Sequence, residues 1–168
     1  MRSLSSRTRR VLVSAAMVWA CGAAVQAIER RPLPAFTVTA LGGAAVSSTN
    51  LTQVGKWLFV YVEAVCAPCD ALLRTIDETD QPLVASRMVI IVGGVNDGDL
   101  ATFASGYPRL TTATWYADAS RTAARQLKAP GLPFVFGMKQ QITEWAWVGV
   151  LPDAASAASA LVSWAGRP

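Results

Sequence analysis

The chain of 168 residues contains no histidine. That absence removes the usual general base, and with it serine–histidine and cysteine–histidine hydrolase chemistry. It also removes the nitrogen ligand that a Sco-type copper site needs. Cysteine is scarce too, with three residues: Cys21, Cys66 and Cys69. Zinc takes four ligands, so a closed zinc site within one chain finds too few. Copper(I) on two thiolates stays open, because soft thiolates suit that ion. No phosphate loop is present, since no Lys-Ser or Lys-Thr follows Gly93-Gly94.

Charge is sparse and unevenly placed. Arg2, Arg7, Arg9 and Arg10 lie at the N-terminus, and every Asp and Glu comes after residue 27. The formal net charge of +4 is therefore carried by the first segment, and beyond residue 27 the two signs balance at 11 each. No Lys/Arg cluster remains there, which argues against a nucleic-acid surface. Asp77, Glu78 and Asp80 read as a solvated helix end rather than an acid/base group.

The N-terminal charges precede an apolar stretch, Val11 to Ala20, and a small-residue cleavage pattern, Val25-Gln26-Ala27. This order matches a secretory signal peptide over residues 1–27, which leaves 28–168 as one domain. The stretch is short for a membrane span, although an uncleaved anchor is the competing reading. Thr8-Arg9-Arg10-Val11-Leu12 is similar to a twin-arginine signal. Val18-Trp19-Ala20-Cys21 is similar to a lipoprotein box in which bulky Trp19 is a misfit, so lipid attachment at Cys21 stays open. Export leads to a compartment that permits disulfides.

Cys66-Ala67-Pro68-Cys69 then becomes the most informative feature. It follows an apolar run, Trp57 to Val62, and opens a helix from Ala67 onward. The amides and dipole of a helix N-terminus favour a thiolate. Two intervening residues bring the second thiol within reach, and Pro68 is tolerated because first-turn amides have no intrahelical partner. A structural bridge closing so short a loop would add little stability, so the spacing favours dithiol–disulfide exchange. In such an exchange one thiolate attacks a partner disulfide and the second thiol resolves the mixed disulfide.

The remaining pattern alternates strands and helices. Strands are expected at Ala35 to Leu41, Ala45 to Ser47, Lys56 to Val62, Met88 to Val92, Ala113 to Ala117, Phe134 to Met138 and Ile142 to Val148. Ser48-Thr49-Asn50 is expected to cap a helical turn. Helices are expected from Ala67 to about Asp80 with Ala71, Leu72, Leu73 and Ile76 as the apolar stripe, from Asp97 to Ser105, from Ser120 to Lys128 with Asp118 or Ser120 as cap, and from Asp153 to about Trp164. Turns are expected at Gly42-Gly43 and Lys139-Gln140. This order implies an α/β domain with a mixed central sheet. Trp115, Trp145 and Trp147 read as packing residues, the last two on one strand face.

The stretch from Gly55 to Cys69, the upstream hairpin from Phe36 through Leu51, and Gly131-Leu132-Pro133-Phe134-Val135-Phe136 together resemble thioredoxin-like proteins of the exported TlpA/ResA type. The resemblance covers nearly all of residues 28–168. It implies a thioredoxin fold, a central mixed sheet flanked by helices with an N-terminal β-hairpin extension. It implies Cys66 as exposed nucleophile, Cys69 as resolving thiol, a reversible Cys66–Cys69 disulfide, and Pro133 as a cis-proline that positions Leu132 to pair with substrate backbone. No cofactor is implied.

The activity implied is that of a periplasmic thiol–disulfide oxidoreductase acting on protein thiols and disulfides. A disulfide reductase is expected, for example in cytochrome c or copper-site maturation. A DsbD-type membrane protein would then donate electrons, and the chain itself would meet the membrane only through a retained N-terminal segment. Three positions depart from the family. Val65 stands where a Trp is usual, Val60 where thioredoxins bury an Asp, and Phe134 where a Thr is frequent. Glu63 is the candidate to replace the missing carboxylate in part, if strand alternation allows. These departures keep three other readings open: a dithiol oxidant or isomerase serving exported, secretion or conjugation proteins, a thioredoxin-fold binding module, and a copper(I) chaperone.

Overall fold

The structure is a computed structural model, and it describes residues 30–51, 53–149 and 154–166. The segment 1–27 read as a signal peptide, Cys21 and the expected cap Asp153 lie outside the described residues. The elements in order are β1 (Thr37–Ala40), β2 (Ala45–Ser47), β3 (Lys56–Glu63), α1 (Ala67–Glu78), α2 (Pro82–Ala85), β4 (Met88–Gly93), α3 (Asp97–Ser105), β5 (Thr114–Asp118), α4 (Thr122–Leu127), β6 (Phe134–Lys139), β7 (Ile142–Val148) and α5 (Ala154–Ala165). Short 3-10 turns cover Ser48–Asn50 and Pro108–Leu110.

The strands form one mixed sheet in the order β2-β1-β5-β4-β3-β6-β7. β3, β4 and β5 run parallel, and the β1–β2 hairpin joins them through an antiparallel β1–β5 pairing. β6 and β7 extend the other side as an antiparallel pair. The hairpin turns on Gly42 and Gly43, both at positive φ, where a residue without a Cβ is favoured.

β3 explains why the sheet has two buried faces. Its interior, Trp57 to Val62, is wholly enclosed, as an unbroken apolar run predicts for a central strand covered on both faces. Alternation sends Leu58, Val60 and Val62 into one core, with Cys69, Leu72, Leu73 and Ile76 of α1 and Leu161 of α5. It sends Trp57, Phe59 and Tyr61 into the other, with Phe36, Ala123, Leu127, Phe134 and Phe136. Packing of side chains into both faces is what fixes this strand at the centre.

Several expected boundaries shift for local reasons. The buried stripe of α1 is Cys69, Leu72, Leu73 and Ile76, while Ala71 is exposed; the three- and four-residue steps put Cys69, not Ala71, in line. α4 begins at Thr122 rather than Ser120 and ends at Leu127, with Arg121 and Lys128 left-handed at either end. The Asp118 carboxylate nevertheless caps it, accepting the amides of Thr122 at 2.7 Å and Ala123 at 2.9 Å. α3 starts where expected, and its cap is Asn96, whose side chain accepts the Asp99 amide at 2.9 Å. The β6–β7 turn falls on Gln140 and Gln141, with Gln140 at positive φ. Trp145 and Trp147 pack against the first core, where the Trp145 and Trp164 rings meet edge to face at 5.6 Å.

Candidate redox site

The end of β3 delivers the cysteine pair. After Glu63 the chain passes through exposed Ala64 and Val65, the latter 97% accessible, and turns into α1 at Cys66. Cys66 is the N-cap, with extended backbone (φ −148°, ψ 98°). Its carbonyl accepts the amides of Cys69 and Asp70, each at 3.0 Å. The Cys69 amide is also 3.3 Å from the Cys66 Sγ, to which it donates. The sulfur thus sits at the positive end of the helix, within reach of one first-turn amide.

The two thiols differ in access. Cys66 is half-buried, with exposed Ala67 and Pro68 beside it, while Cys69 is 0% exposed among the residues of the first core. They are joined in a disulfide, with Cα atoms 5.2 Å apart. An attacking partner can reach only the outer sulfur.

The loop ahead of β6 comes to the same end of the sheet. β6 lies antiparallel beside β3 with Phe134 opposite Tyr61, which places Leu132 and Pro133 next to the strand end that leads to Cys66. The Leu132–Pro133 peptide is cis. Pro133 is buried and its carbonyl accepts the Gly149 amide at 2.8 Å. Leu132 is half-buried and packs against both cores. Among the described residues, none hydrogen-bonds to its backbone.

Glu63 does not replace the missing carboxylate. It alternates with Val62 and falls on the Tyr61 face of β3, where it pairs with Arg121 at 2.8 Å. Beside it Asp118, only 3% exposed, accepts the Tyr61 hydroxyl at 3.1 Å. Burial and the Asp118 charge push the Tyr61 hydroxyl far above its ordinary value of 10.0. Cys69 and Val60 lie together in the other core.

One group at the site escaped the sequence reading. Asp70, directly after Cys69, accepts the Arg74 guanidinium at 2.8 Å on one oxygen and the Tyr107 hydroxyl at 2.8 Å on the other. The Arg74 hydrogen bond, aided by Tyr107, holds its carboxyl below the ordinary Asp value of 3.8. The Asp70–Arg74 spacing of four was a visible helical signal. Tyr107 was not, because it arrives from 37 residues away. Among the described residues no three His, Cys, Asp or Glu side chains converge to hold a metal ion, and no helix is long and apolar enough to cross a membrane.

The architecture has clear structural relatives. A thiol:disulfide interchange protein DsbE from Chlorobium tepidum superposes with a TM-score of 0.62 at 17% identity, over 82% of this chain and 97% of that one. A secreted Mycobacterium tuberculosis disulfide oxidoreductase homologous to E. coli DsbE superposes with a TM-score of 0.58 at 18% identity, over 76% and 95%. The peroxidoxin BcpB from Mycobacterium tuberculosis gives 0.61 at 14%, over 83% and 97%. No protein-family model matches the chain, and no curated protein matches its sequence. The fold is thioredoxin-like, shared with thiol:disulfide oxidoreductases and peroxidoxins. Within it this chain carries a Cys-x-x-Cys disulfide at the N-terminus of α1.

Proposed function

We propose that the protein is an exported thiol–disulfide oxidoreductase that reduces disulfides in other proteins, with Cys66 as nucleophile and Cys69 as resolving thiol. The observation that carries this reading is the asymmetry of the pair. Cys66 sits half-accessible at a helix N-terminus, and Cys69 is sealed in the core beneath it. An outer sulfur open to attack and an inner one open only to its neighbour suit a two-step exchange.

In the reduced protein the Cys66 thiolate attacks one sulfur of a partner disulfide. The Cys66–partner bond forms, the partner S–S bond breaks, and the departing partner thiolate takes a proton from solvent. Cys69 then gives up its proton and attacks the Cys66 Sγ. The Cys66–Cys69 bond forms and the second partner thiolate leaves. Two electrons have passed to the partner, and a dithiol donor must return them to the pair. Leu132 and Pro133, alongside the strand that leads to Cys66, form the edge against which an extended partner segment would lie.

The resemblance to TlpA/ResA-type proteins supports a periplasmic location, a DsbD-type electron donor and partners in cytochrome c or copper-site maturation. The secreted Mycobacterium tuberculosis neighbour is in keeping with export. Expressing the full chain with Cys69→Ser in its native compartment tests the reading. A mixed disulfide should accumulate through Cys66 and vanish on reduction, and the Cys66→Ser chain should trap nothing. Failure to trap any partner with Cys69→Ser would sink the reductase.

A further inference from the structure

A disulfide reductase needs a Cys66–Cys69 pair tuned to give up electrons, and the first turn of α1 holds a group able to tune it. The Asp70 amide donates to the Cys66 carbonyl at 3.0 Å, which sets Asp70 one turn above the nucleophile. It is the acidic residue of that first turn. Its carboxylate cannot swing freely, because Tyr107 and Arg74 each hold one oxygen at 2.8 Å. Tyr107 is itself fixed, its ring 5.6 Å from that of Phe103 and 6.0 Å from that of Trp115.

Building on the redox reading, we propose that Asp70 is a positioning residue whose anchored negative charge opposes the positive end of α1 and biases the Cys66–Cys69 pair toward the disulfide. A helix N-terminus stabilises a thiolate; a carboxylate in the same turn satisfies that field first. With its thiolate less favoured, the dithiol form loses stability relative to the disulfide, so the dithiol becomes the stronger electron donor.

The other charges around the pair do not compete for this role. Glu63, at the end of β3, is paired with Arg121 and faces the opposite side of the sheet from Cys69. Ala64, Val65, Ala67 and Pro68 beside Cys66 are uncharged, as are Leu132 and Pro133. Tyr107 keeps its proton, because burial and then the Asp70 hydrogen bond raise it above its ordinary value of 10.0. Arg74 opposes Asp70 from one turn further along the helix, at a greater distance from its N-terminus.

That geometry gives two substitutions of opposite sign. In the full chain, Asp70→Asn should move the equilibrium with glutathione toward the dithiol by about two- to fivefold, the size of a charge effect at a helix terminus. Alkylation of Cys66 should shift to lower pH. Arg74→Gln leaves the Asp70 charge uncompensated and should move both readouts the other way. Both effects should shrink in about 0.5 M salt. A purely structural role would change stability without this reversal of sign. Arg74 is exposed, so its variant carries the test even if Asp70→Asn folds poorly. The inference is overturned if the variants shift in the same direction, or if neither departs from the parent by twofold while the parent pair exchanges normally. A parent pair that never equilibrates with glutathione would overturn the redox reading and this inference together.

Discussion

The hydroxyl of Tyr61 donates to the carboxylate of Asp118 across 3.1 Å, and that same carboxylate receives the first two amides of α4. The bond ties the centre of β3 to the end of β5 and to the helix that follows. Asp118 is 3% exposed, and among the described residues its partners have no other acceptor. Asp118→Ala should therefore cost about 2–4 kcal/mol, the sum of a lost cap and an orphaned buried hydroxyl. Tyr61→Phe removes one donor and leaves the carboxylate its two amides, so about 1 kcal/mol is expected. Urea unfolding of both variants checks the ratio.

Alkaline pH should weaken the fold through the tyrosines. Burial leads the causes that raise the hydroxyls of Tyr61, Tyr107 and Tyr116 above 10.0, with Asp118 adding to the first and Asp70 to the second. Raised values mean that the folded chain keeps these protons while the unfolded chain releases them. The stability so gained is fully present below pH 10 and is lost as pH rises above it. Unfolding midpoints at rising pH should fall past that point, and Tyr61→Phe should make the fall shallower.

Gly137 has a packing role in β6. A Cβ there would clash with the Trp145 indole, which is itself braced against Trp164. The strand register also shifts between Gly137 and Met138, a place where a residue without a side chain is favoured. Gly137→Ala should destabilise by about 1–3 kcal/mol through overpacking and change the tryptophan emission. Unchanged emission and stability would contradict the placement of Trp145.

The parts of this fold legible in the sequence were those written in short range. Trp57 to Val62 announced a doubly buried strand by composition, Gly42-Gly43 announced the hairpin, and Cys66-Ala67-Pro68-Cys69 announced a helix start by its own spacing. The order of elements implied a mixed α/β sheet, and the resemblance to TlpA/ResA-type proteins implied its thioredoxin-like form with the hairpin. What stayed hidden depends on contacts between distant segments. Tyr61 and Asp118 are 57 residues apart, and Asp70 and Tyr107 are 37 apart. The four-residue α2 and the turn at Pro108–Leu110 are too short to show a period. Glu63 was readable in kind but not in direction. One step of strand alternation decides whether it meets Cys69 or Arg121, and it meets Arg121.

The central claim is that Cys66 and Cys69 form a reducing pair. The equilibrium reduction potential of that pair in the purified protein tests it most directly, measured against glutathione or dithiothreitol buffers. A value near that of thioredoxin, about −270 mV, is expected. A value near that of DsbA, about −120 mV, would contradict it and mark the pair as a source of disulfides for exported proteins.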